Sequence, residues 1–158
     1  MCNYCGCREF PLIGRLSAEH EAITDAAGRL RSAVRGGGGD PLAALDALLA
    51  LLLPHTRTEE DGLFAELRAE GSLAEAVRRM CAEHDDIHGV LGAVDRAAPE
   101  WPPVLAALDR LHRHVDNEEH GLFPAAVIAL PIPAWDRITP TVISGPSARF
   151  PGGIAPAR

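Results

Sequence analysis

The segment His55-Thr56-Arg57-Thr58-Glu59-Glu60-Asp61-Gly62-Leu63-Phe64 returns fifty-nine residues later as His114-Val115-Asp116-Asn117-Glu118-Glu119-His120-Gly121-Leu122-Phe123. Six of the ten positions are identical, without a gap. In each copy a His and a Glu stand four apart, so on a helix they stack on one face. The flanking apolar residues fall on that same face. They are Leu45, Leu48 and Leu52 before the first copy with Leu63 inside it, and Leu108 and Leu111 before the second with Leu122 inside it. A helix that carries His and Glu along its apolar stripe turns them toward the core.

A weaker echo precedes each copy: Ala18-Glu19-His20 with Ile23, and Ala82-Glu83-His84 with Ile87, at an offset of sixty-four. The chain therefore reads as one helical hairpin written twice. The first helix follows Ser17 as N-cap and runs to about Arg35. Asp40-Pro41 caps and opens the second, which runs to about Ala69 with Pro54 loosening it inside. After Gly71-Ser72 the third spans about Leu73 to Ala97. The fourth spans about Pro103 to Leu130, with an irregularity at Pro124. Short connections between four amphipathic helices predict an all-α fold, an antiparallel up-down-up-down four-helix bundle over residues 15–130. A cysteine-containing N-terminal arm (1–14) precedes it. A Pro- and Gly-rich tail (131–158) follows, extended except for a short helical turn around Ala134 to Ile138, and ordered where Trp135 or Phe150 docks.

Depth along the bundle is fixed by counting residues back from each connection at about 1.5 Å per residue. His20, His55, Glu59, His84, His88, His114 and Glu118 then converge on one layer, to within a helical turn. A single inward His is ordinary when it is hydrogen-bonded. Five of them with two carboxylates and no inward Arg would cost several kcal/mol per unpaired charge (about this size for a buried ion). A coordinating cation removes that cost. Seven ligands exceed a tetrahedral zinc site and suit two metals sharing bridging carboxylates. Mixed imidazole and carboxylate ligation favours iron or manganese. Glu60 and Glu119 are candidates to accept from imidazole N–H groups, or are solvated carboxylates. His112 and His120 fall off the stripe and are read as surface residues.

Composition narrows the classes. A net charge of −7 argues against nucleic acid or an anionic membrane as partner. The greasiest stretch, Leu42 to Leu53, is too short to span a bilayer and carries Asp46. Aromatics are only 4% of the chain, so the core is to be built from Ala, Leu and Val. The location expected is the cytoplasm. There Cys2, Cys5 and Cys7 would be free thiols or ligands of an additional metal, and Cys81 a small buried hydrophobe.

The set His20, His55-x-x-x-Glu59, His84-x-x-x-His88 and His114-x-x-x-Glu118, with its twin His-x-x-x-Glu-Glu-x-Gly-Leu-Phe signature, resembles the hemerythrin family, including its bacterial hemerythrin-like domains. The resemblance covers about residues 15 to 130. It implies two non-heme iron ions, oxo- or hydroxo-bridged, with Glu59 and Glu118 across both. His84, His88 and His114 would hold one iron, and His20 and His55 the other, which keeps a position open. Leu111 would wall that pocket. Classical hemerythrins place the last carboxylate, an Asp, five residues after its His; Glu119 has that spacing here. Glu118 is preferred because it repeats the spacing of His55 and Glu59.

The resemblance implies binding or sensing of O₂ or a related small ligand. The alternatives are a diiron enzyme acting on peroxide, nitric oxide or Fe²⁺, and an iron-supply or stress-response protein using the N-terminal cysteines. Five neutral imidazoles and two carboxylates favour binding, because few anionic ligands stabilise high-valent iron poorly.

Overall fold

The computed structural model describes residues 6–71 and 73–143, and among these every regular element is a helix. The helices are α1 (Pro11–Val34), α2 (Pro41–Thr58), α3 (Phe64–Ala69), α4 (Ala74–Gly92), α5 (Trp101–Asn117), α6 (Phe123–Ala129) and α7 (Ile132–Ile143). Two π-helical turns, Glu59–Leu63 and Glu118–Leu122, join α2 to α3 and α5 to α6, with the flanking residues still in helical conformation. The helix pairs α1/α2, α4/α5, α1/α5 and α2/α4 all pack on one another, giving a helical bundle. No helix among the described residues is long and apolar enough to cross a membrane.

Most helix ends follow from local chemistry. The Asp40 carboxylate accepts from the Leu42 N–H at 3.0 Å, and Pro41 occupies the first turn, where its missing N–H costs nothing. Pro102 and Pro103 do the same for α5, which begins at Trp101. Helix α4 stops at Gly92, short of the Ala97 expected, and the Asp95 side chain turns the chain by accepting from the Ala97 N–H.

Two larger differences from the sequence reading lie at the ends of the bundle. Helix α1 starts at Pro11 rather than after Ser17. Leu12, Ile13 and Leu16 are all buried and continue the apolar stripe backward, and Ser17 is buried inside the helix. Residues Ile132–Ile143, read as mostly extended, form helix α7. Ala134, Trp135 and Ile138 lie on one face at helical spacing and are buried. Helix α7 packs on α1 and on the first π turn. Trp135 docks as the sequence suggested, with its ring 4.7 Å from Phe10. Phe150 lies outside the described residues. Trp135→Ala should cost about 3 kcal/mol, the low end for a buried Trp. Chemical denaturation would show this as a lower midpoint; an unchanged midpoint would mean that α7 contributes nothing.

The core comes in two apolar blocks. One contains Leu12, Leu16, Leu63, Phe64, Met80, Leu122 and Phe123; the other Ile23, Leu48, Leu52, Ile87, Leu108 and Leu111. Between them every long helix contributes a polar residue to one layer. His20 falls between Leu16 and Ile23, His55 and Glu59 between Leu52 and Leu63, His84 between Met80 and Ile87, and His114 and Glu118 between Leu111 and Leu122.

Candidate metal centre

The two π turns set the layer's carboxylates. The Glu59 carbonyl accepts from the Phe64 N–H, and the Glu118 carbonyl from the Phe123 N–H, five residues on rather than four. A regular helix would swing residue i+5 away from the face of residue i. The wider turn keeps Glu59, Leu63 and Phe64 all buried, and likewise Glu118, Leu122 and Phe123. The sequence located the irregularities at Pro54 and Pro124. Helix α2 runs through Pro54, which is exposed, and Pro124 sits in the first turn of α6. The irregularity lies instead at the glutamates.

Each of four buried imidazoles is held from its outer edge by a carboxylate. His20 Nδ1–H donates to Glu119 Oε1 at 2.9 Å, and His55 Nδ1–H to Glu19 Oε2 at 2.9 Å. His84 Nδ1–H donates to Glu60 Oε1 at 2.8 Å, and His114 Nδ1–H to Glu83 Oε2 at 2.9 Å. The Nε2 atoms are thereby turned inward on Glu59 and Glu118. His55 Nε2 is 3.2 Å from Glu59 Oε1, and His84 Nε2 is 3.3 Å from Glu59 Oε2. His20 Nε2 is 3.2 Å from Glu118 Oε2, and His114 Nε2 is 3.3 Å from that same oxygen. Phe123 stacks on the His20 ring and Phe64 on the His84 ring, closing the layer against the apolar block beside it.

Two groups result. His20, His55, Glu59 and Glu118 bring ligand atoms within 4.8 Å of one another, and so do Glu59, His84, His114 and Glu118. Both groups contain both carboxylates.

The fit to a cation is tested by what these atoms lack. Glu59 and Glu118 are 0% exposed, yet none of their four carboxylate oxygens has a hydrogen-bond partner. The Nε2 atoms of His20 and His84 are also buried without one. They lie near the carboxylates but are not aligned to donate. Buried polar atoms are normally paired, and six that converge unpaired on one layer fit the lone-pair geometry of a ligand set.

The electrostatics agree. Burial would lower His20, but Glu118, Glu119 and Glu59 around it outweigh burial and raise it to about 11. Burial likewise opposes, and the carboxylates overcome, a rise of His55 and of His114 to about 9. Burial pushes the Glu59 carboxyl up, and the imidazoles of His55, His20 and His84 bring it well below its usual range. Burial acts the same way on Glu119, where His20 and Arg8 bring the carboxyl down to about 2. The layer attracts positive charge; without a metal, protons on His20, His55 and His114 supply it.

Of the residues named from sequence, His20, His55, Glu59, His84, His114 and Glu118 are brought together. His88 belongs to neither group. It is half-buried one turn beyond His84, with Nε2 3.2 Å from Thr56 Oγ1. Leu111 is buried one turn before His114. Glu119 lies at the outer edge of His20, and Glu118 faces inward. His112 and His120 are exposed. Cys81 is half-buried beside Arg68. Cys7 is buried and disulfide-bonded, so it is not the free thiol or metal ligand expected; a disulfide leaves no thiolate to donate. Cys2 and Cys5 lie outside the described residues.

The sequence reading missed the roles of Glu19 and Glu83. Their signal was present, since the Glu before each His of α1 and α4 is part of the echo. Glu119→Gln keeps the shape but removes the charge from His20's partner. We expect metal affinity to fall about 10- to 100-fold with helix content unchanged, read by competition with a chelator. Unchanged affinity would remove the outer carboxylates from the site.

A search of curated proteins and one of solved structures returned no match. Family comparison matches residues 12–126 to the hemerythrin HHE cation-binding domain. That span holds both copies of the repeat, all four inward imidazoles and both shared carboxylates. On that match and this layer of converging His and Glu ligands, the chain belongs to the hemerythrin HHE cation-binding domain family.

Proposed function

We propose that the protein is a non-heme diiron protein that binds or senses O₂ or a related small ligand within an antiparallel up-down-up-down four-helix bundle. The observation that carries this reading is the sharing of Glu59 and Glu118 by two four-residue groups. Two ions held side by side need anionic ligands between them, and Glu59 and Glu118, common to both groups, would be those ligands. His20 and His55 would hold one iron, His84 and His114 the other. His88, beside His84 and engaged with Thr56, is proposed as a third imidazole for the latter. The His20 and His55 side, with fewer imidazoles, would leave room for a small ligand.

The bound irons supply reversible redox chemistry and a place for a small neutral ligand; the chain supplies the rest. Glu19, Glu60, Glu83 and Glu119 fix each ring by its Nδ1. Leu52, Leu111, Phe64 and Phe123 exclude water from the layer, and Leu111 walls the ligand pocket. The low count of carboxylates favours binding over oxidative attack.

Metal analysis with an absorption spectrum tests the site, and rapid mixing tests the activity. About two irons per chain are expected, as a shared-carboxylate pair requires. Mixing the reduced protein with O₂ should give a visible band that disappears when O₂ is removed. Sustained consumption of hydrogen peroxide, or irreversible bleaching on a single exposure to O₂, would replace the binding reading with the enzymatic one.

A further inference from the structure

A groove between α4 and α5 opens beside the ligand layer, with a volume of about 340 Å³. Arg79, Glu83, Asp86, Arg110, Arg113 and Asn117 line it. Three guanidinium groups in one groove are unexpected on a chain with net charge −7.

The repeat provides an internal comparison. Its offsets carry this groove onto a smaller one of about 190 Å³ between α1 and α2. There Arg15, Glu19, Ala22, Leu51 and Pro54 stand where Arg79, Glu83, Asp86, Arg110 and Arg113 stand in the second. Both grooves end on the same kind of pair, Glu19 with His55 and Glu83 with His114. In the first, Arg15 is 2.7 Å from Glu19. Leu51 and Pro54 show that the helix pairing does not need a guanidinium at either position. Arg110 and Arg113 are therefore additions that the fold does not require.

Their charge is only partly answered. Arg110 Nε lies 2.8 Å from Asp86 Oδ2. Arg79 Nε is 3.9 Å from Glu83 Oε1, while the other Glu83 oxygen is taken by His114. Arg113 has no ion-pair partner among the described residues. Three planar guanidiniums with N–H groups to spare, and the Asn117 amide, make a donor-rich wall suited to oxygen anions.

We propose that this groove binds a small oxyanion, a phosphate or carboxylate group, through Arg79, Arg110 and Arg113. An anion there competes with Glu83 for Arg79 and so alters the acceptor of His114. This second consequence rests on the metal reading above; the binding site does not.

Isothermal titration of the full chain, as isolated and metal-free, with inorganic phosphate and separately with succinate tests the site. Saturable binding of at least one probe is expected, and the tighter one identifies the anion class. Arg110→Leu and Arg113→Met should each weaken it at least about tenfold, the loss of one bidentate charge-assisted contact. Arg96→Met, which removes a guanidinium paired with Asp46 elsewhere, should leave it unchanged. Arg110→Leu installs the residue that the first groove carries; if that variant fails to fold, exposed Arg113 decides alone. Saturation by neither probe, or equal affinity in Arg113→Met, overturns the site. With metal bound, the anion should shift the visible spectrum of the wild type and not of Arg113→Met. Binding without that shift overturns the coupling only, and binding to a chain that takes up no metal overturns only the metal reading.

Discussion

Glu59→Ala is expected to leave the protein with less than about one metal ion per chain, whereas His55→Ala should leave about one. The difference comes from membership. Glu59 belongs to both ligand groups and His55 to one. Removing His55 takes one imidazole from the His20 group and leaves Glu59, His84, His114 and Glu118 intact. Removing Glu59 takes a shared anion from both. Loss of an outer hydrogen-bond partner already costs about 10- to 100-fold in metal affinity, so loss of a direct ligand should exceed that range. His114→Ala should behave as His55→Ala does, because the repeat relates them. Elemental analysis after dialysis, with circular dichroism to establish that each variant is folded, measures this. Equal metal contents in Glu59→Ala and His55→Ala would mean that Glu59 does not serve two ions. Full occupancy in His55→Ala and His114→Ala would remove both imidazoles from the ligand set.

Metal removal should lower the thermal midpoint at pH 7 by about 10 °C, and by more as pH rises. A ligand at a thousand times its dissociation constant contributes about 4 kcal/mol. For a chain of this size each kcal/mol moves the midpoint by about 2–4 °C. The pH trend follows from the imidazoles. His20 is raised to about 11, and His55 and His114 to about 9, from 6.5. In the metal-free fold these groups hold protons that the unfolded chain releases near 6.5. The stabilisation they give is complete below 6.5. It is lost as pH climbs through about 9 for His55 and His114 and about 11 for His20. The metal-free protein should therefore melt lower at pH 10 than at pH 7. Metal must displace the same protons, so its affinity rises over that window and loading at pH 7 releases protons. Calorimetric scans with and without chelator at the two pH values measure the trend. A metal-free protein that melts higher at pH 10 would contradict it.

Much of the site was readable because its residues obey helical spacing. His55 and Glu59, like His114 and Glu118, share a face by arithmetic alone, and the repeat showed that both copies build one layer. What the arithmetic could not supply was direction within the layer. Glu118 and Glu119 are adjacent, and spacing arguments exist for either. The π turn decides between them, sending Glu118 inward and Glu119 to the Nδ1 of His20. That turn is an i to i+5 hydrogen bond, and no periodicity of 3.6 anticipates it. His88 fits the stripe of α4 as well as His84 does, yet its ring rests on Thr56 of α2. Its place depends on a neighbouring helix.

The same division holds for the whole chain. The amphipathic stripes, the Asp40-Pro41 cap and the doubled hairpin are local, and local chemistry determines them: the sequence by itself specified a helical bundle with a His and Glu layer. The start of α1 at Pro11, the helix at 132–143, the carboxylate behind each imidazole and the contrast between the two grooves were decided by tertiary packing. Each depends on which surface lies opposite. The apolar residues around Leu12 and Trp135 become helical faces because a core is there to receive them, and the glutamates become ring anchors because an imidazole from another helix arrives within 3 Å.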